Sequence, residues 1–314
     1  MLHLLTLNDC AADAPSVVTV GNFDGLHLGH QQLISSVQQQ SLSLQAASTV
    51  MLFEPQPLEF LRPEQAPPRL MRLGEKLHGL KQLGVHRVGL VRFTQTFAML
   101  TPQAFVEQLL VDRLRSVAVW VGDDFRFGAQ RAGNFSTLCD LAEKHGFSVQ
   151  QTPTFTLDGQ RLSSTWLRSV LQQGDVSQAS RILGRAYRIR GRVAHGQKLG
   201  RKIGFPTLNI VLKQKPAITG VYAVRVHGLS SSVLMGVANV GSRPTVDGAQ
   251  NRVEVHVFDW QGDAYGRVVS VEFCQRLRQE QRFADMLALQ AQIQLDVVAA
   301  RSFFSSSVTD LVFC

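Results

Sequence analysis

Two histidines three residues apart, His27 and His30, lie inside the glycine-bracketed run Gly21-Asn22-Phe23-Asp24-Gly25-Leu26-His27-Leu28-Gly29-His30. Imidazoles at that spacing can hydrogen-bond a phosphoryl group and, when protonated, add positive charge to it. The chemistry is favoured at a helix N-terminus, where backbone N–H groups and the helix dipole attract anions. The flanking residues predict that setting. Ser16-Val17-Val18-Thr19-Val20 is β-branched and apolar and reads as a buried parallel strand, and Leu33, Ile34 and Val37 open an apolar helical face after the turn. The bland alternative is that the histidines do no more than cap that helix, and the strand–turn–helix setting favours the phosphate reading. A second segment, Ser163-Ser164-Thr165-Trp166-Leu167-Arg168, offers hydroxyls that can cap a helix carrying Leu167, Val170 and Leu171. One turn inside it, Arg168 has the guanidinium fork that suits phosphate oxygens.

The second half carries a different set. Gly191-Arg192-Val193-Ala194-His195-Gly196-Gln197-Lys198 approaches a P-loop, but Gln197 stands where the motif needs lysine and no helical pattern follows. In Gly204-Phe205-Pro206-Thr207-Leu208-Asn209, a threonine hydroxyl and an asparagine carbonyl two residues apart share one face of an extended strand. Oxygen donors of that kind suit a magnesium ion shared with substrate phosphates, although Pro-Thr-x-Asn also fits a plain strand entry. In Val253-Glu254-Val255-His256-Val257-Phe258 the valines face one way, Glu254 and His256 the other. With the valines in a core, Glu254 is either a solvated carboxylate or a base able to take a proton from a hydroxyl. Gly241-Ser242-Arg243-Pro244-Thr245 adds a rigid basic turn.

These groups need two kinds of scaffold. At roughly 150 residues per domain, 314 residues suggest two. The first half alternates strands (Thr49–Phe53, Val85–Val91, Val117–Val121, one near Phe147) with helices: a stripe of Leu70, Leu73, Leu77 and Leu80, one opened by Thr101-Pro102, one from Asn134 to Gly146. That is the pattern of a doubly wound parallel sheet, which gathers the loops after His27, Phe53, Val121 and Ser163 at its carboxyl edge. After Gly184 the pattern changes to short strands and turns, clearest at Val221–Val226, Val233–Ala238, Val253–Phe258 and Val268–Phe273, with turns at Asp247-Gly248 and Gln261-Gly262-Asp263. An amphipathic helix follows, from about Phe283 to Phe304, with Met286, Leu289, Ile293 and Val297 on one face. The expectation is therefore a Rossmann-like domain over 1–184 and a small antiparallel β-barrel with a C-terminal helix over 185–314.

Composition narrows the class. Apolar content of 45% with 18% charged residues is that of a globular protein. No run of eighteen apolar residues and no signal-like N-terminus occurs, and Cys10, Cys139, Cys274 and Cys314 form no CxxC pair, so a cytoplasmic protein without membrane, zinc or disulfide framework is expected. The net charge of +8 belongs to the second half: Lys and Arg balance Asp and Glu up to Gly184, and Arg185, Arg188, Arg190, Arg192, Lys198, Arg201 and Lys202 follow with no acid among them. Such a stripe binds nucleic acid, lines an anionic small-molecule site, or is a solvated face.

Taken together, Gly21–His30, Val121-Gly122-Asp123-Asp124-Phe125-Arg126-Phe127-Gly128, Ser163–Arg168, Gly204–Asn209, Gly241–Thr245 and Glu254-Val255-His256 resemble, in order, the marks of the bifunctional riboflavin kinase/FAD synthetase (FMN adenylyltransferase) family of bacteria. The resemblance runs from Gly21 to Arg301. It implies an N-terminal nucleotidylyltransferase module that makes FAD and pyrophosphate from FMN and ATP, and a C-terminal riboflavin kinase barrel that makes FMN from riboflavin and ATP. By resemblance, His27 and His30 stabilise charge on the α-phosphate, Ser164, Thr165 and Arg168 hold the outgoing phosphates, and Asn22, Asp24 and Asp124 shape the nucleotide and flavin pocket. In the barrel the resemblance assigns Gly196, Gly204, Pro206, Thr207 and Asn209 to the nucleotide, Thr207 and Asn209 also to Mg2+, and Glu254 to activation of the ribityl hydroxyl. The basic stripe would then face anionic nucleotides, with no nucleic acid, membrane or obligate protein partner. Pro55-Gln56-Pro57 departs from the family's usual Pro-His-Pro, and Leu208 replaces the alanine of Pro-Thr-Ala-Asn. HxGH is also similar to the class I aminoacyl-tRNA synthetase signature, but no Lys-Met-Ser-Lys-Ser-like loop accompanies it. A riboflavin-binding regulator without catalysis is the other alternative, against which the complete catalytic set argues.

Overall fold

Val17 and Val18, neighbours in the chain, are buried on opposite sides of one sheet. Strand β2 (Ser16–Val20) is buried at every position, which is why it reads as an apolar run without alternation. The computed structural model describes residues 2–7, 11–196, 200, 203–245 and 248–309. Among residues singled out from sequence, Cys10, Gln197, Lys198, Arg201, Lys202, Asp247 and Cys314 lie outside this set, as do the side chains of Arg243, Pro244 and Thr245.

The N-terminal sheet has the order β1-β4-β3-β2-β5-β6 and is parallel throughout. Its members besides β2 are β1 (His3–Thr6), β3 (Ala47–Glu54), β4 (Arg87–Arg92), β5 (Ser116–Val121) and β6 (Ser148–Gln151). Strand β1 was not anticipated: it is four residues long, mostly exposed, and exists only by pairing with β4. One face packs Val17, Val50 and Leu52 under α1 (Leu28–Ser43) and α3 (Leu73–Gln82); the other packs Val18, Val20 and Met51 against Phe105, Leu109 and Leu138. Leu70 precedes α3, so the expected leucine stripe begins at Leu73. Short helices α2 (Pro57–Leu61) and α4 (Gln95–Ala98) flank these elements, and a two-stranded ribbon of β7 (Thr156–Leu157) and β8 (Gln160–Arg161) follows β6. Thr101 caps α5 (Pro102–Phe105), which continues as a π-helix over Val106–Arg113, and Asn134 caps α6 (Phe135–His145), which closes in left-handed Gly146.

The chain leaves β2 toward β3 and β4, then returns to place β5 on the other side of β2. The switch point lies between β2 and β5, so the loops after Val20 and Val121 flank the crevice where such sheets bind ligands.

The chain divides into two compact units, residues 1–67 with 71–164, and residues 68–70 with 165–314. Helix α8 (Val176–Leu183), capped by Asp175, follows α7 (Ser164–Gln173) and packs on β14 (Val268–Arg278). The break in sequence pattern at Gly184 therefore falls twenty residues after the division of contacts. The second unit is a closed antiparallel barrel, β10-β13-β12-β11-β14-β9, joined by pairing of Ile210 with Val193. Strands β9 (Arg188–Ala194), β10 (Leu208–Leu212), β11 (Gly220–His227), β12 (Leu234–Thr245) and β13 (Gly248–Val257) complete it. A C-terminal helix, α9 (Met286–Thr309), packs against β11, β12 and β14. Its innermost apolar residues are Val297, Ala300 and Phe304, while Met286, placed on the buried face from periodicity, is exposed.

Candidate functional site

The loop from β2 to α1 folds tightly. Phe23 and Leu26 adopt φ of +46°, with Gly25 at +93°, while both large side chains are buried in the core. Left-handed backbone at two bulky residues is uncommon and is held here by the packing around it. Asp24, 2% exposed, accepts the Met71 N–H at 3.1 Å, and its carbonyl accepts the Ser164 hydroxyl at 2.8 Å. The structure thus joins two segments 140 residues apart that the sequence had singled out independently. Asn22 is exposed, and its carbonyl accepts Lys76 Nζ at 2.5 Å.

His27 is the N-cap of α1: its Nδ1 accepts the His30 N–H at 3.3 Å, and the two imidazoles stack with centroids 3.6 Å apart. His30 Nδ1 is shielded and has no hydrogen-bond partner. Burial pushes the His30 pKa well below its usual value, and the charges of His27 and Lys76 add to the effect. The sequence reading allowed a cationic pair; the geometry keeps His30 neutral.

Asp124 lies after β5 in a concavity with Phe125, Arg126, Arg131 and Asn134, and it and Asp123 share Arg161 at 3.6 and 2.5 Å. Thr165 and Arg168 fall in the second unit, where Arg168 Nε donates to the Pro68 carbonyl at 2.7 Å. Gln56 is buried with its Nε2 unpartnered.

In the barrel, Val253 and Val255 point inward and Glu254 and His256 outward, as alternation required. The outward face is not open solvent. Register places Asn209 opposite Glu254 and Asn239 opposite Glu254 on its other side, so these three form one row across β10, β13 and β12. The row lines a cavity of about 310 Å³ whose other walls include Phe205, Thr207, His256, Arg278, Glu280 and the α9 side chains Leu289 and Ile293. Arg278 grips Asp296 of α9 through Nε and Nη2, both at 2.8 Å, and fastens the helix to the barrel.

Asn209 is buried and donates Nδ2 to the Thr207 carbonyl at 3.4 Å, which leaves its Oδ1 as the acceptor. A Cβ at Gly196 would overlap the Asn209 carboxamide, and Gly204 occupies a left-handed φ of +86°. The Pro206 carbonyl meets His256 Nδ1 at 3.0 Å, and Arg252 stands 3.5 Å from Glu254. Among the described residues, no three His, Cys, Asp or Glu side chains converge on a metal position.

Family models match both halves, FAD synthetase over residues 9–166 and riboflavin kinase over 183–304. The Escherichia coli (strain K12) protein described as a bifunctional riboflavin kinase/FMN adenylyltransferase is 47% identical over 289 residues, 92% of each chain. This chain belongs to the bifunctional riboflavin kinase/FMN adenylyltransferase family. Relatives of the same description from Haemophilus influenzae and Pseudomonas fluorescens are each 45% identical, covering 92% and 93% of this chain and 94% of their own. Among solved structures, a Streptococcus pneumoniae chain described as a macrolide-efflux protein aligns with a TM-score of 0.78 at 30% identity, over 94% of this chain and 97% of its own. No helix among the described residues is long and apolar enough to cross a membrane.

Within this riboflavin kinase/FMN adenylyltransferase scaffold, sequence reading missed three polar groups. Lys76, 1% exposed, was not singled out: α3 approaches so closely that a Cβ at Gly79 would overlap Leu26, and its lysine is buried beneath the histidine loop. Asn239 and Glu280 join the kinase row only through strand register and a chain reversal, for which no local motif exists. The basic stripe is partly committed to the barrel itself: Arg188 binds Glu272 and Arg192 binds the Gly266 carbonyl. Burial alone would raise Glu272, but Arg188, Arg225 and His227 outweigh it and hold the carboxyl below its usual range.

Proposed function

We propose that the barrel unit phosphorylates riboflavin with ATP and that the sheet unit adenylylates the resulting FMN with a second ATP, and that residues 1–184 and 185–314 approximate the two functional modules. The observation that carries the reading is the coincidence of the two family matches with two separate polar constellations, the stacked histidines at the α1 N-terminus and the Asn209–Glu254–Asn239 row.

In the kinase step Glu254 takes the proton of the terminal ribityl hydroxyl as its oxygen attacks the γ-phosphorus and ADP leaves. Arg252 Nη1 stands 3.5 Å from the Glu254 carboxylate. Thr207 and Asn209 supply neutral oxygen donors that fit Mg2+, with Gly196, Gly204 and Pro206 shaping the backbone around the nucleotide. Bound magnesium would neutralise phosphate charge, with substrate phosphates as its main ligands.

In the adenylyl transfer the FMN phosphate attacks the α-phosphorus of ATP and pyrophosphate leaves. His27 and His30 donate hydrogen bonds at the helix N-terminus to oxygens gaining charge. Asp24 and Ser164 hold the loop in place, Asn22 and Asp124 flank the crevice, and Thr165 and Arg168 serve the departing phosphates. The substrates and products of this step are all anionic phosphate compounds, and we assign the reaction to the cytoplasm. Incubation with riboflavin, ATP and magnesium tests the reading: FMN should appear first and FAD second, and formation of neither flavin would refute it.

A further inference from the structure

We propose that Glu280 receives an inner hydroxyl of the ribityl chain and so makes the kinase pocket selective for a flavin bearing a polyol. The inference rests on the kinase reading of this cavity and extends it to substrate choice.

Glu280 follows β14, where the chain turns back toward α9, and lines the same cavity as Glu254. Its carboxylate end is turned inward over β12, although the side chain is otherwise exposed. Two contacts hold it there. The Asn239 side chain hydrogen-bonds the Glu280 carboxylate, and Asn239 is the register partner of Glu254, so one amide connects the two acids. Gly241, two residues further along β12 on the same face, has no side chain: a Cβ there would overlap the Glu280 carboxylate. Gly241 belongs to the Gly241–Thr245 segment whose glycine had no explanation in the sequence pattern. The space that it leaves is the space that Glu280 fills.

The charges along the row sort the substrate. At the Asn209 end the donors are neutral and suit a metal-bound triphosphate. At the Asn239 end Glu280 joins Glu254, and two carboxylates repel phosphate. What fits between them is neutral and hydroxyl-bearing. Burial pushes the Glu280 carboxyl above its usual range and the Glu254 charge adds to the rise, only partly offset by Asn239 and Arg278. Its carboxyl oxygens remain acceptors for the hydrogen of a hydroxyl. The apolar wall of Val221, Val237, Phe283, Leu289 and Ile293 takes a flat ring on the other side, which orients the polyol along Glu280 toward Glu254.

The test compares riboflavin with an analogue bearing a 5-hydroxypentyl chain, which keeps the terminal hydroxyl and lacks the three inner ones. In the full-length protein, Glu280→Ala should lower kcat/KM for riboflavin by roughly tenfold to a hundredfold, chiefly through KM, and change that for the analogue by less than about threefold. Glu280→Gln, which keeps an acceptor oxygen, should retain most of the riboflavin preference. Gly241→Ala, which displaces the carboxylate without removing it, should reproduce the selective loss, and a thermal melt of each variant checks that the barrel is folded. Equal losses on both substrates, or no loss on riboflavin, would overturn the inference. Glu254→Gln run alongside separates the two levels: if it loses FMN formation while Glu280→Ala shows no selectivity, only the role of Glu280 falls. If it keeps full FMN formation, the kinase reading of the cavity falls and this inference with it.

Discussion

His27 Nδ1 accepts the backbone N–H of His30 at 3.3 Å while the two rings stack 3.6 Å apart, so one histidine caps the helix that presents them both. Capping and phosphate binding, which looked like alternatives in the sequence, are compatible. An Nδ1 that accepts from the backbone assigns the His27 proton to Nε2, the nitrogen directed away from the cap.

Replacing both His27 and His30 by alanine should stop FAD formation and leave FMN accumulating. Removing donors aimed at developing phosphate charge costs about a hundredfold or more in rate. Flavin products separated after incubation with riboflavin and ATP give the answer; FAD formation at the parental rate would refute the assignment.

Because burial, His27 and Lys76 hold the His30 pKa below the ordinary 6.5, the folded protein binds a proton there less readily than the unfolded chain does. Its effect on stability is therefore absent above about pH 6.5, and destabilisation grows as pH falls through that value toward the lower folded pKa. Melting temperatures from pH 8 to pH 5 should decline less in His30→Gln than in the parent protein. Lys76→Met should raise the His30 titration midpoint in an NMR titration.

Glu254→Gln keeps the shape and hydrogen bonds of the carboxylate but not its basicity. FMN formation should fall by about 10²–10⁴-fold, the usual cost of losing a general base. Conversion of added FMN to FAD, measured on the same preparation, should be unchanged. A fall in FMN formation of less than about threefold would return Glu254 to a spectator role.

The division of contacts at Thr165, set against the change of pattern at Gly184, predicts that a fragment starting at Thr165 melts higher than one starting at Arg185. The longer fragment retains α8, whose Val176, Ala179, Ile182 and Leu183 are buried. Of these, Val176, Ile182 and Leu183 each contribute about 1.5–3 kcal/mol on burial. Calorimetry on the two fragments decides the point, and equal melting temperatures would mean that α8 adds nothing to the barrel.

Much was determined locally. Val17–Val20 specify a strand by their own stereochemistry, Thr101, Asn134 and Asp175 cap helices through their own side chains, and alternation alone sends Glu254 away from the barrel core. The placement of HxGH at a helix start and of Glu254 on an outward strand face was therefore legible from residue type and spacing. Tertiary structure decided which groups meet. Strand order puts the loop after β2 at the switch point, and a 140-residue contact ties Asp24 to Ser164. Register brings Asn239 beside Glu254, and a turn after β14 carries Glu280 onto Gly241. Burial places Lys76 inside the fold and keeps the His30 imidazole neutral. Neighbours in space that are remote in sequence leave no periodicity to read, because their pairing is set by how whole faces pack and not by any local preference.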